Sequence, residues 1–232
     1  MKFILGLLVG LILAVGIAAA GAYFAFGDLR DIDFGDRDRS EDVTETLDLA
    51  GFNAIEVGGV FELEVTVGGD FSVVLTGDAD EMERVEAKVE NGELVLDQRR
   101  PDRGKRRWRN QGVTATISLP SLTDIDVSGV VDGEVTGVDA ESFSADFSGV
   151  GDLDLEGTCG TLKARLSGIG DLDARDLQCA IADVDVSGIG EASVYASEEV
   201  DASVSGIGSI SIYGSPAKVD KDSSFLADIS VK

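Results

Sequence analysis

The sequence contains no histidine. That absence removes the residue that most often titrates near neutral pH, the Ser-His-Asp triad and the commonest transition-metal ligand. Cysteine occurs only at Cys159 and Cys179, too few for a four-thiolate zinc site. Aromatic residues are 6% of the chain, which leaves few platforms for stacking sugars. Proline is scarce at 3 against 29 glycines, a balance that lacks the Pro-rich signature of disorder and suits tight turns between short strands. Positive charge is also scarce. Lys plus Arg is 19 against 44 Asp plus Glu, a formal charge of −25. Such a surface repels nucleic acid and anionic headgroups and attracts divalent cations and basic partners. No catalytic constellation is legible, although an enzyme working with carboxylates stays open.

What the chain has first is an apolar N-terminus. Phe3 to Phe26 is 24 residues without a charge. A bilayer needs roughly 20 such residues, and a signal-peptide apolar core runs to about 7–15. Residues 1–27 therefore read as a transmembrane anchor or a signal peptide, with length favouring the anchor and Ala18, Ala20 and Ala22 offering cleavage positions. Counting Lys2 before the segment against Arg30, Arg37 and Arg39 after it points to a cytoplasmic body. An apolar segment behind a lone lysine is nonetheless laid out like an export signal, and export is the expectation. Residues 28–46 are charged and poor in bulky apolar residues, and read as a linker.

The second half repeats. Ser-Gly recurs at Ser128, Ser148, Ser167, Ser187 and Ser205, with spacings of 20, 19, 20 and 18, and the last four copies read SGVGDL, SGIGDL, SGIGEA and SGIGSI. Before each Ser the apolar residues alternate: Phe143, Ala145, Phe147; Leu162, Ala164, Leu166; Ala182, Val184, Val186; Val200, Ala202, Val204. Period two marks a strand with one buried face. After each Ser stand further aliphatic columns, Val130, Val150, Ile169, Ile189 and Ile207 two residues on, and Leu153, Leu172, Ala192 and Ile210 five residues on. Each repeat thus supplies two short strands around a Gly-flanked corner, where glycine is expected for positive φ. A coil of about 20 residues buries little alone, and stacking the coils buries both strands. The expected fold class is all-β, a single-stranded parallel β-helix, with residues 121–232 forming the SGxG-repeat solenoid.

Residues 47–120 read as the N-terminal β part of the same solenoid. Val60–Val67 and Phe71–Thr76 are strand-like, Val85–Glu90 and Glu93–Asp97 flank Asn91-Gly92 as a hairpin, and Val113–Leu119 alternates up to Pro120. The run FNAIEVGGVFELEVTVGGDFSVVLTGD, then VENGELVL, then ISLPSLTDIDVSG with its SGxG repeats, resembles the auto-transporter adhesin head domain family, also called the GIN domain. The resemblance covers about residues 50–232. It implies a parallel β-helix in an exported bacterial envelope protein and carries over no catalytic residue.

Three clusters stand out. Arg99, Arg100, Arg103, Lys105, Arg106, Arg107 and Arg109 fall within eleven residues, with Trp108 among them, and hold seven of the 19 basic residues. This departure from the family pattern lies between two strands and reads as a protruding loop. It either grips lipopolysaccharide or another anionic glycan, or pairs with the protein's own acids. Four and six residues after the repeat Ser, Asp132, Asp152, Asp154, Asp171, Asp173 and Glu191 form an outward acidic ladder. Calcium is the one cofactor this leaves open, against a ladder that is simply hydrated. Cys159 and Cys179 each lie eight residues before their Ser, on adjacent coils, within disulfide reach if the body is exported.

These features lead to a non-enzymatic, adhesin-like binding or scaffold protein of the bacterial cell envelope, periplasmic or on the surface, anchored or secreted. It meets the membrane through its N-terminal segment and does not bind nucleic acid. Two alternatives stay open. One is a carbohydrate-active β-helix enzyme of the polysaccharide lyase kind, with Lys163 and Arg165 as its outward basic pair. The other is an envelope-stress accessory protein.

Overall fold

The computed structural model describes residues 42–99 and 112–232. The expected anchor or signal, most of the linker, and residues 100–109 of the basic run lie outside the described residues. Among the described residues no helix is long and apolar enough to cross a membrane.

The chain is all-β, and its described part contains one short helix, α1 (Ala79–Met82). The repeats form the expected parallel solenoid. Four long strands, β9 (Val130–Phe147), β10 (Val150–Leu166), β11 (Ile169–Val186) and β12 (Ile189–Val204), each run down one face, bend, and return along the other. Each pairs in parallel with the next, and β13 (Ile207–Gly214) continues the stack. Alternation decides the packing. Leu166 is opposite Phe147 on one side and Val186 on the other, and Val186 is opposite Val204. All four are at most 1% exposed, so the repeat alignment identified a true inward column. Burying one such aliphatic side chain stabilises the stack by roughly 1.5–3 kcal/mol.

The glycine that directly follows each repeat Ser is required by space and not, as expected, by a positive φ, which falls instead on Gly151, Gly170 and Gly190. A Cβ at Gly168 would lie 2.0 Å from the Gly149 carbonyl oxygen of the preceding coil, and one at Gly188 would lie 2.0 Å from that of Gly168. Consecutive corners stack backbone on backbone, and any side chain would prise the coils apart. The serine does not bond within its own turn. Ser148 Oγ donates to the Val127 carbonyl at 3.3 Å, and Ser128 Oγ to the Val57 carbonyl at 3.4 Å, each on a neighbouring coil.

The first half contains coils, but not in chain order. Strands β2 (Ala54–Val57) and β3 (Val60–Val67) flank a Gly58-Gly59 corner. They pair in parallel with β8 (Asp124–Val127) and β9, with Val57 opposite Val127 and Val60 opposite Val130. On their other side lie β6 (Glu93–Gln98) and β7 (Val113–Leu119), also parallel. The chain therefore lays down β2–β3, moves outward to β6–β7, then crosses back through Pro120–Thr123 to start β8. The outermost coil is closed by antiparallel strands. These are β4 (Ser72–Asp78) against β7, β1 (Asp42–Leu47) against β4, and β5 (Val85–Glu90) against β6 through the Asn91-Gly92 turn, both of whose residues have positive φ. One continuous solenoid from residue 47 is thus corrected to a solenoid with an out-of-order, antiparallel-capped start.

The linker expectation also changes at its end. β1 takes residues 42–46 of the stretch read as linker. Its side chains are exposed except for half-buried Leu47, so its burial signal is weak, while β-branched Val43, Thr44 and Thr46 favour the extended chain. At the far end β14 (Lys218–Ser223) pairs with β12 and β15 (Ala227–Val231) with β13. β14 is exposed along its whole length, and its charges discourage edge-to-edge association.

Candidate binding surface

The face that follows each Ser-Gly corner carries its outward side chains in register. Four positions after the Ser stand Asp132, Asp152 and Asp171, mutually opposite, with Glu191 next; six after it stand Glu134, Asp154 and Asp173. The acidic ladder is therefore outward, as the alternation requires. Its carboxylates bond along the stack. Asp152 accepts the Asp171 backbone N–H at 3.1 Å, and Asp171 accepts that of Glu191 at 2.9 Å. Asp173 is held by Arg175, whose Nη2 lies 2.6 Å away. Partial burial pushes the Asp154 carboxyl up, helped by the neighbouring charges of Asp173, Glu134 and Asp152 and opposed by Arg175. Among the described residues, no three acidic or thiol side chains converge as a metal-binding group.

The column two residues after the Ser stands apart. Val130, Val150, Ile169, Ile189 and Ile207 are register partners and are 47–54% exposed. Sequence reading placed them with the apolar columns of the coil. Their parity with the outward acids was the signal that they face solvent. Together with the Ser-Gly corners, Val150, Ile169, Ile189 and Ile207 line a shallow groove of about 550 Å³, running from Ser148 to Ile207.

The opposite bend holds the cysteines. Cys159 and Cys179 are register partners joined by a disulfide, with S–S 2.01 Å and Cα atoms 4.5 Å apart. A second shallow cleft, about 580 Å³, lies beside the crossover and is lined by Thr123, Asp124, Asp139, Glu141 and Lys163 among others. The outward basic pair does not act together. Lys163 borders this cleft, while Arg165 is paired with Asp146 at 3.5 Å. Arg175 also lies over the Tyr213 ring, 5.5 Å from its centroid.

Of the eight residues proposed from sequence to bind polyanion, Arg99 is described. Its Nε is 2.9 Å from Glu86, and its Nη2 donates to the Glu83 carbonyl, so this first arginine braces the β5–β6 hairpin. Arg100, Arg103, Lys105, Arg106, Arg107, Trp108 and Arg109 lie outside the described residues. The flanks of the run do have a place. A Cβ on Gly59 would lie 2.6 Å from Gln98 Cβ, and one on Gly112 would lie 3.5 Å from Val60, so the run is flanked by positions opposite Gly59 and Val60. No charged or polar side chain is fully buried among the described residues.

The family model described as "Putative auto-transporter adhesin, head GIN domain" matches residues 51–216. No curated protein shows significant similarity to the chain. Among solved structures, the fold is shared with a "putative adhesin" from Bacteroides fragilis NCTC 9343, at 24% identity and a TM-score of 0.67, covering 83% of this chain and 97% of that one. A "putative adhesin" from Parabacteroides merdae ATCC 43184 gives 12% identity and a TM-score of 0.43, with 82% and 96% covered. One from Parabacteroides distasonis ATCC 8503 gives 16% and 0.42, with 82% and 98% covered.

Proposed function

The chain belongs to the auto-transporter adhesin head GIN domain family, and on that premise we propose that it is a non-enzymatic binding module of the bacterial cell envelope. The observation that carries the reading is the registered outward face. Its side chains repeat from coil to coil on a paired backbone, which makes a rigid array suited to an extended or repetitive ligand. The described residues offer nothing that favours the polysaccharide lyase alternative or an envelope-stress role.

The ligand chemistry we assign to the basic run is an anionic envelope glycan, lipopolysaccharide included. A chain at −25 gathers seven of its 19 positive charges into eleven residues. Arg–phosphate and Arg–carboxylate contacts are charge-assisted and often bidentate. Binding of the full chain to lipopolysaccharide should weaken steeply with salt, because exposed charges are screened beyond about 8 Å at physiological ionic strength. The variant Arg103→Ser/Arg106→Ser/Arg107→Ser should lose that binding and keep its unfolding temperature. Unchanged binding with a lower unfolding temperature would mean that the run serves the protein's own acidic face. Depolymerisation of an acidic polysaccharide by the purified chain would overturn the non-enzymatic reading.

A further inference from the structure

The exposed aliphatic column is longer than the repeat count suggests. Gly208 pairs with Ala227 on β15, so Leu226 precedes that pair as Ile207 does and takes the next rung. Ser224 repeats the backbone bond of the corner serines, its N–H donating to the Val204 carbonyl at 2.8 Å. Leu226 is 62% exposed. Val130, Val150, Ile169, Ile189, Ile207 and Leu226 thus form one continuous aliphatic ridge beside the Ser-Gly groove, in a chain whose other outward columns are mainly acids and hydroxyls. Contiguous apolar surface of this kind marks an interaction site more often than chance exposure.

The surroundings of the ridge select its occupant. On the same face, two residues on, run Asp132, Asp152, Asp171 and Glu191, all exposed. Across the Ser-Gly floor, two residues before each Ser, stand Asp126, Asp146 and Asp185, with Arg165 between and already paired to Asp146. Carboxylates therefore flank the ridge on both sides. A second copy brought ridge to ridge would set acid against acid, and an anionic lipid surface would be repelled in the same way. An extended peptide gains no main-chain bonds here. The N–H groups of Val130, Val150, Ile169, Ile189 and Ile207 are each donated to a glycine carbonyl of the neighbouring coil, at 2.7–3.0 Å. Affinity must come from side chains alone, presented as an apolar stripe edged with positive charge.

We propose that this ridge is the docking site for a basic amphipathic helix of a partner protein, lying along the solenoid axis. Rungs spaced by about 4.8 Å nearly match the 5.4 Å pitch that brings helix positions i, i+3/i+4 and i+7 onto one stripe. Five intervals span about 24 Å, the length of a helix of about 16 residues. Lysine or arginine on the two margins of the stripe meets the two acidic columns. This reading goes beyond the glycan reading and does not depend on it.

The probe is a synthetic peptide of leucine and lysine, about 16 residues long to match that span, with leucine on a single helical stripe. Its control is a scrambled peptide of the same composition. Binding is measured by fluorescence anisotropy to the full chain in zwitterionic-lipid nanodiscs, with empty discs as the blank. The striped peptide should bind at least about tenfold more tightly than the scramble, about 1.4 kcal/mol. Ile169→Asn/Ile189→Asn should erase that preference at an unchanged unfolding temperature. Asp152→Asn/Glu191→Gln, which leaves the ridge intact, should weaken the striped peptide and flatten its salt dependence. Equal binding of the two peptides to the natural chain overturns the proposal, and so does a preference that survives the isoleucine changes. Should those changes unfold the protein, unaltered striped-peptide affinity in the acid variant overturns it instead. Self-association of the natural chain that the isoleucine changes abolish would assign the ridge to a second copy and likewise overturn it.

Discussion

The carboxylate of Asp152 accepts the backbone N–H of Asp171, one coil further on, at 3.1 Å. Asp171 does the same for Glu191 at 2.9 Å. The acidic ladder is therefore partly structural. Asp152 and Asp171 repel their neighbours in the column, yet each caps a backbone donor on the next coil.

The two effects separate by substitution. Asp171→Asn keeps an acceptor oxygen and removes the charge, so stability should hold or rise slightly. Asp171→Ala removes both and leaves the Glu191 N–H without its partner, at about 1–2 kcal/mol. Chemical denaturation of the two variants against the natural chain gives the order. An Asn variant destabilised as much as the Ala variant would mean that the charge, not the acceptor, matters.

Glycine at the corners should be irreplaceable because of what lies beneath it. Gly170 has φ +149°, and a Cβ there would lie 1.7 Å from the Gly151 carbonyl oxygen. Gly51 has φ +83° and open space around it. Gly51→Ala should cost about 1–2 kcal/mol, the strain of the left-handed region alone. Gly170→Ala should cost about 3 kcal/mol or more, since backbone must move in two coils. Comparable unfolding temperatures for the two would remove the close-stacking argument.

These contacts show what the sequence could and could not disclose. Phe147, Leu166, Val186 and Val204 were legible as a column because alternation and a 20-residue period act on the same residues. The order in which β2–β3 and β6–β7 stack was not legible. Pairing between coils is non-local, and every coil offers the same alternation whichever neighbour it takes. β1 was missed because an edge strand with exposed side chains lacks a buried stripe. The ridge was half legible: aliphatic identity suggested the core, while the parity of Ile169 with Asp171 and Asp173 placed it outside. The acidic residues named from sequence do share two outward columns, and the cysteines do meet. The basic run was legible only as composition, since its residues carry no apolar periodicity.

The disulfide between Cys159 and Cys179 closes a separation of 20 residues on adjacent coils. In the chain-entropy account such a loop is worth about 3 kcal/mol. Thiol labelling of denatured, unreduced protein from the envelope should find no free thiol, and Cys159→Ala/Cys179→Ala should lower stability by about that amount. Two labelled thiols would refute the bond in the cell.

Stability should rise on mild acidification. Burial pushes the Asp126 carboxyl above its ordinary 3.8, and the neighbouring charges of Asp146 and Glu56 push the same way. Asp154 is raised from 3.8, and Glu93 from 4.5, with burial again the leading cause and no cation outweighing the neighbouring acids. For a raised carboxyl, the folded state binds more protons than the unfolded state at pH values between the ordinary and the raised value. Stability therefore falls as pH rises through that window, and the loss is complete above it. As the pH falls from neutrality toward the ordinary carboxylate values of 3.8 and 4.5, the unfolding temperature should therefore rise rather than fall. The −25 formal charge adds to the trend, because each proton taken up reduces self-repulsion. Asp126→Asn removes the penalised charge permanently. It should raise the unfolding temperature at neutral pH and flatten the dependence on pH, with little effect at the acid end. Thermal melts of both proteins from neutral pH down to that range test the sign, and a natural chain whose melting temperature only falls as the pH is lowered would contradict it.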